Sequence, residues 1–314
     1  MTTLSTTRGG RRAAGASARR PRRHSQRAHQ TRTAYLFLTP AVLVLAVFVL
    51  WPMIDALRLS FTDDSIFGPP GWVGLDNYTA LASDANFTGA LGHTLYYAVV
   101  TTPVSVAIAL ALAVLLNRRI PGRSFFRAVI FLPFVVSLAV VAIAWTFLFD
   151  PQLGFVTHHL AQIGLRTGNG IRDPHWAMIG IMAVGIWRNV GFFMVMFLAG
   201  LQSIPREVYE AATVDGAGAW RRFRNVTWPL LSNTTMFVAI IATIFSFQAF
   251  DQVYVMTNGG PYFKTETLLM YIYRTGFTNY KMGYASAISW VLVAIILVLS
   301  LGQLAYFSRR TVKY

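Results

Sequence analysis

Val104–Leu116 reads VSVAIALALAVLL and Ile288–Gly302 reads ISWVLVAIILVLSLG, two runs that are apolar all round rather than on one face. A helix rises about 1.5 Å per residue, so roughly 20 such residues cross a hydrocarbon core of about 30 Å. Extended to their polar limits, the two runs become predicted membrane helices over Thr94–Leu116 and Ala287–Ser308. Four more stretches of the same kind lie at Ala34–Ile54, Phe126–Leu148, Trp176–Gly200 and Asn233–Val255. The fold class is therefore an all-α integral membrane protein with six transmembrane helices. A β-barrel is excluded, because its strands would run for about ten residues with alternating polarity.

Composition agrees with that reading. Of 314 residues, 55% are hydrophobic and 12% charged, against about 25% charged in an ordinary soluble chain. The absence of Cys removes disulfides, thiolate zinc sites and cysteine nucleophiles. No Walker A pattern occurs, so nothing in the chain is built to cradle ATP phosphates. His158, His159 and His175 share one loop, but adjacent side chains diverge and no carboxylate or third His has ligand spacing, so no metal site is assigned. The twelve acidic residues are too scattered for a catalytic cluster, and no catalytic residue is proposed.

The net charge of +15 is read from its distribution. Nine Lys or Arg fall in residues 1–33, which hold no acid and end abruptly at the first apolar run. With the N-terminus inside, the inner segments carry twenty basic residues and the outer ones six, leaving Arg188 within a span. The positive-inside rule then places both termini in the cytoplasm of a multi-pass protein, the 24-to-3 excess of Arg over Lys points to a bacterial source and so to an inner (plasma) membrane, and a nucleic-acid partner is set aside. The expected organisation is a basic disordered cytoplasmic tail at 1–33, a first membrane helix at 34–54, an external loop at 55–93, a five-helix core at 94–308 and a cytoplasmic C-terminus at 309–314.

Within the core, the inner segment 203–229 is more than a connector: SIPREVYEAATVDGAGAWRRFRNVTWP. Pro205 suits a first helical turn, Glu207 the positive end of its dipole, and Asp215-Gly216 a C-terminal break. A second helix should carry Trp220, Phe223 and Thr227 on one face and end at Pro229, which admits the fifth span.

Glu210-Ala211-Ala212, three residues, Gly216, nine residues and then Val226-Thr227-Trp228-Pro229 resembles the EAA coupling loop of the membrane subunits of binding-protein-dependent ABC importers. Val226 and Trp228 depart mildly from the family's closing Ile-x-Leu-Pro. The likeness extends over nearly everything after residue 35. Gly74-Leu75-Asp76-Asn77-Tyr78, Arg127 with Leu132-Pro133 and Trp145, Leu201 to Ile204-Pro205, and Thr257-Asn258-Gly259-Gly260-Pro261 resemble the carbohydrate-uptake branch, which includes maltose and glycerol-phosphate permeases.

The resemblance implies a type I importer permease fold and a subunit that moves sugar inward by alternating access. It implies ATPase-coupling roles for Glu210, Ala211, Ala212, Asp215, Gly216 and Pro229. Solute contacts come from the middle of the fourth and fifth spans, mapping onto Arg188, Asn189, Phe192, Phe245, Ser246 and Ala249. The implied partners are a second permease subunit in a heterodimer, two ATPase subunits and an extracytoplasmic solute-binding protein. ATP and Mg would sit on the ATPases, with no cofactor in this chain.

Several readings stay open on the residues alone. Arg188, near mid-bilayer, either lines the solute route or serves a structural pair. On the fifth span, Phe245, Ser246 and Ala249 compete with Gln248 and Asp251 for the pore, the resemblance favouring the first set. A non-sugar solute such as glycerol phosphate is an alternative cargo. A self-sufficient secondary transporter is a weaker rival, since Arg188 and Asp251 lie at different expected depths and form no ion-coupling chain.

Overall fold

The structure is a computed structural model, and it describes residues 23–64, 71–118, 120–165 and 168–308. The chain divides into two compact units, 1–55 and 56–314. The first unit is helical from Arg23: α1 (Arg23–Leu45) runs through a π-turn at Ala46–Leu50 into α2 (Trp51–Leu59). Helix therefore begins inside the basic segment expected as a disordered tail. Residues 1–22, the rest of that segment, lie outside the described residues, as does 309–314. The apolar window of Thr33–Leu59 has none of its residues buried in the protein, and Phe37, Phe48 and Trp51 are 80%, 74% and 70% exposed. Such a surface is stable only where lipid or another apolar helix replaces water.

The second unit takes in the last turn of α2 and continues with a short antiparallel pair, β1 (Thr62–Asp63) and β2 (Gly71–Trp72), and α3 (Asp76–Ser83). Asn77 fixes this corner by donating from Nδ2 to the carbonyls of Ser60 and Thr62, both at 2.9 Å, while the Tyr78 and Ser60 hydroxyls lie 2.7 Å apart.

Helix α4 (Ala85–Leu116) starts nine residues earlier than the apolar run predicts. Polar Asn86, Thr88 and His93 hide its first turns, but Asp84 caps them, accepting from the Asn86 N–H at 2.8 Å. The third predicted span is not one straight helix. It comprises α5 (Arg123–Val135) and α6 (Leu138–Leu148), bent by 98° across an extended Val136-Ser137. Counting that pair as one, the described residues contain six candidate spans.

A short α7 (Phe155–Gln162) precedes α8 (Ala177–Ser203), the central helix. It packs on α4 and α5, and Phe193, Met194 and Phe197 are almost wholly buried. At Gly191 the α5 backbone comes so close that an added Cβ would lie 2.0 Å from the Ile130 carbonyl oxygen. Helix α9 (Arg206–Val214) and α10 (Ala219–Arg222) form a hairpin, which continues through a π-turn at Phe223–Thr227 into α11 (Trp228–Leu230). Pro229 thus does not end the second arm. The preceding π-turn lets the ladder absorb the missing N–H, and the break falls at Leu231.

The fifth span is α12 (Ser232–Phe247) and α13 (Asp251–Met256), interrupted at 248–250. Helix α14 (Leu268–Tyr273) lies against α4 and α15 (Met282–Ser308), the last span. Its start is pinned by the Leu268 N–H donating to Thr94 Oγ1 at 2.7 Å and by Thr267 Oγ1 donating to the Ala249 carbonyl at 2.7 Å. One apolar cluster, with Leu116, Phe197, Leu201, Ile204 and Leu231, fills the hairpin end of the unit. Another, with Leu81, Phe87, Leu268, Tyr271 and Ile288, fills the opposite end.

Candidate functional site

The break in the fifth span opens a cavity of about 610 Å³. Phe134 and Leu138 reach it from the bend between α5 and α6, and Gly185, Arg188 and Asn189 from the middle of α8. Phe245 of α12, the interruption itself and Asp251 and Gln252 of α13 form a further wall. Leu269 and Ile272 of α14 and Ser289 to Ile296 of α15 close the remainder.

Arg188 is half-buried. Its Nη1 donates to Asn189 Oδ1 at 3.3 Å, its guanidinium carbon lies 5.1 Å from the Phe134 ring centre, and its buried Nε has no hydrogen-bond partner. A guanidinium in a membrane span must be compensated, and here a π face and one amide do part of that work. The carboxylate of Asp251, which lines the same cavity, supplies an opposing charge although the two residues were expected at different depths.

Beside Arg188 the aromatic rings form a continuous surface. Phe134 stacks on Phe192 with centres 4.4 Å apart, and Phe245 lies 6.0 Å from Phe192 and 6.3 Å from Phe134. The cavity thus combines aromatic edges from Phe134 and Phe245 with the polar groups of Arg188, Asn189 and Gln248.

The six residues mapped to the pathway are thus not all alike. Arg188, Asn189, Phe245 and Ala249 line the cavity. Phe192 stands behind Phe134 in the stack. Ser246 faces away: it is buried, and its hydroxyl is shared with Thr101 and Thr102 of α4, each at 3.0 Å. Gln248 and Asp251, the competing face, line the cavity as well, because the interruption at 248–250 breaks the helical periodicity on which the two faces were separated. Phe134 was missed from the sequence. Its position directly after Pro133, where a helix is prone to bend, is the signal that could have pointed to it.

The second site is the hairpin. Glu210 and Ala211 are exposed on α9, Ala212 is half-buried, and Asp215 and Gly216 close the helix. The closure is a Schellman turn: Gly216 N–H donates to the Thr213 carbonyl and Ala217 N–H to the Ala212 carbonyl, both at 3.0 Å. Gly216 has φ +71°, so any side chain there is strained although the space around it is open. The arms are joined by the Tyr209 and Thr227 hydroxyls at 3.2 Å and by Arg222 Nη1 donating to Thr213 Oγ1 at 3.0 Å. Tyr209 and Phe223 pack on the apolar cluster that ends α8, so the hairpin is seated on the bundle while its Glu210 face is open. Among the described residues no group of three or more His, Asp or Glu side chains gathers as a metal site.

Comparison with known proteins adds independent observations. Residues 104–313 match the family described as the binding-protein-dependent transport system inner membrane component. The sn-glycerol-3-phosphate transport system permease protein of Agrobacterium fabrum is 34% identical over 278 residues, covering 88% of this chain and 94% of that one. A probable ABC transporter permease protein of Bacillus subtilis is 38% identical over 279 residues, covering 87% and 95%. Among solved structures, a chain of a bacterial ABC transporter involved in import of the acidic polysaccharide alginate superposes with a TM-score of 0.79 at 23% identity, over 92% of this chain and 99% of that one. At that identity the likeness is one of fold.

Proposed function

This chain belongs to the binding-protein-dependent transport system inner membrane components, and from that premise we propose that it is a transmembrane subunit of an ATP-driven sugar importer. It contributes half of the solute pathway, a second permease subunit contributes the other half, and two separate ATPases carrying ATP and Mg drive the cycle. An extracytoplasmic binding protein delivers the solute, and both termini and the hairpin face the cytoplasm. The chain itself is not an enzyme: its family is a transport component.

The observation that carries this reading is the sharing of α8 between the two sites. Arg188 and Asn189 sit at its middle, on the cavity, and its C-terminal end at Ser203 leads directly into the hairpin. Fifteen residues of helix separate them, about 22 Å of rigid rod. The mechanism follows from that layout. A partner ATPase docks on α9, where Ala211 and Ala212 permit close approach and Glu210 and Asp215 offer carboxylates to basic side chains. When the ATPases close, the hairpin moves as a body and carries the adjoining ends of α8 and α12 with it, shifting which side of the cavity is open.

A phosphorylated polyol is the second reading of the cargo. The unpartnered Nε of Arg188 favours it, and relatives named as sn-glycerol-3-phosphate permeases make it the first alternative to test. The experiment is reconstitution of the complete complex in liposomes. The Glu210→Lys, Gly216→Val double variant should lose solute-stimulated ATP hydrolysis and co-purification of the ATPase while still inserting. Arg188→Leu should assemble normally but change which solutes stimulate hydrolysis. Full stimulation by the double variant, or uptake by this chain alone without ATP, would overturn the proposal.

A further inference from the structure

The two arms of the hairpin differ in charge. Residues 206–215 carry Glu207, Glu210 and Asp215 with Arg206 as their one basic residue, whereas residues 216–231 contain no acid and include Arg221, Arg222 and Arg224, the second of which reaches back to Thr213. The second arm also shows aromatic surface. Trp220 is 71% and Trp228 46% exposed, and Arg224, midway between them, is exposed too. Phe223, in contrast, is half-buried beneath the stripe, its ring 5.7 Å from Trp220 and 6.4 Å from Trp228.

This pattern has the wrong sign to serve the same partner as α9. It has the right composition and place for a different one. Trp228 stands four residues before Ser232, where the fifth span begins, so that end of the arm lies at the water–membrane boundary. Indole rings settle at headgroup level because they are apolar in body and carry one N–H donor. Each Arg near an anionic surface adds about fivefold to partition. A bare helix of this composition would lie in the interface plane with its rings toward the acyl chains.

We infer that the Trp220–Arg224–Trp228 face, with Arg221, binds the headgroups of anionic phospholipids, and that this contact sets the hairpin's height against the membrane so that coupling depends on anionic lipid. The site rests on the coupling role proposed for α9, to which it supplies a fixed reference plane. A hairpin seated on one side by Tyr209 and Phe223 and held on the other by lipid transmits a push to α8 and α12 rather than tilting under it.

The test exploits a chain with no Cys. Trp220→Cys and, as control, Val214→Cys on the first arm, 88% exposed, are each labelled with a nitroxide. The permease pair is placed in nanodiscs of phosphatidylcholine, with or without phosphatidylglycerol, before ATPases are added, and label depth is read by paramagnetic relaxation. The label at 220 should lie at headgroup depth and the label at 214 in water. In the complete complex, phosphatidylglycerol should raise solute-stimulated ATP hydrolysis severalfold, and Arg221→Gln with Arg224→Gln should abolish that increment while leaving the activity in phosphatidylcholine unchanged. A label at 220 that is aqueous until the ATPase is added would assign the face to the ATPase and overturn the inference, as would an equal lipid response in the double variant. Failure of the coupling reading looks different: Glu210→Lys with Gly216→Val would then leave hydrolysis intact, while the label at 220 would still report headgroup depth.

Discussion

At the end of the bundle remote from the hairpin, Asp84 Oδ2 accepts from the Tyr271 hydroxyl at 2.5 Å and the Tyr284 hydroxyl at 2.8 Å, and its other oxygen caps α4. One carboxylate thus ties α4, α14 and α15 together. Nearby, Arg274 Nη2 meets Glu266 Oε2 at 2.9 Å with both side chains largely buried, and its guanidinium carbon lies 4.2 Å from the Phe263 ring centre. The hairpin end is made otherwise: its arms meet through Tyr209–Thr227 and Arg222–Thr213, and Glu210, Val214, Trp220 and Arg224 are all exposed. The remote end is cross-linked by its own side chains, and the hairpin leaves its polar and aromatic groups for other molecules. Under the proposed coupling, in which a push at one end reshapes a cavity in the middle, the far end must hold.

The largest effect should come from removing the remote tie. Asp84→Ala leaves two tyrosine hydroxyls and the Asn86 N–H without their acceptor. Hydrogen bonds to a charged group are worth about 1.5–3 kcal/mol each, and partial rehydration should limit the total to roughly 2–4 kcal/mol. Thermal unfolding in detergent should register this as a clear fall in Tm, with hydrogen exchange rising over residues 268–284. An Asp84→Ala protein as stable as hairpin-surface variants would break the contrast between the ends.

The next effect is in pH. Burial pushes the Glu266 carboxyl up from 4.5 to about 7, with Arg274 opposing the rise and Asp84 adding to it. At Asp84 burial also pulls upward, but the hydroxyls of Tyr271 and Tyr284 and the N–H groups of Asn86 and Phe87 outweigh it and hold the group below its ordinary 3.8. The signs are opposite. Glu266 has the raised value, so its stabilising contribution is full below 4.5 and is lost as pH rises to about 7. Asp84, with the lowered value, contributes fully above 3.8 and loses its contribution on further acidification. His93 Nδ1, 3.1 Å from the Glu266 carbonyl oxygen, and Lys264 complete the charged surroundings. The loop over 257–278 should therefore be best protected from hydrogen exchange near pH 5 and open more readily at pH 8, by about tenfold after correction for intrinsic rates. Glu266→Gln should flatten the upper part of the profile; an unchanged profile would remove Glu266 as its cause.

The two ends also differ in how far the sequence discloses them. The hairpin is local: Pro205, Glu207, the Asp215-Gly216 stop and the basic second arm all act within a few residues of one another, so helix signals and spacing locate them. The spans are equally plain, since lipid demands long apolar runs and their number follows by inspection. What stayed hidden needs two elements at once. The 98° bend falls at Val136-Ser137, three residues past Pro133, and although that proline marks a place for a kink, nothing in the hydropathy sets its angle. The place of Phe134 in the cavity depends on α5 folding onto α8, and the turn of Ser246 toward Thr101 and Thr102 depends on where α4 lies. Asp84, Tyr271 and Tyr284 are separated by up to 200 residues, and nothing local marks them as one site.

The smallest effect sharpens the contrast from the hairpin side. Arg222 Nη1 donates to Thr213 Oγ1, a bond on an exposed surface where water offers the same partners. Arg222→Gln should therefore cost less than about 0.5 kcal/mol of global stability. Its effect should instead be local, because this bond and the Tyr209–Thr227 contact are the polar side-chain links between the arms. Hydrogen exchange over 206–227 should rise in the isolated permease and return toward the parent value once the ATPase occupies α9, since a docked partner supplies the constraint that the side chain no longer gives. A loss of Tm as large as that of Asp84→Ala would mean that the hairpin, too, is locked from within, and that the push reaches the cavity through a structure already rigid before any partner arrives.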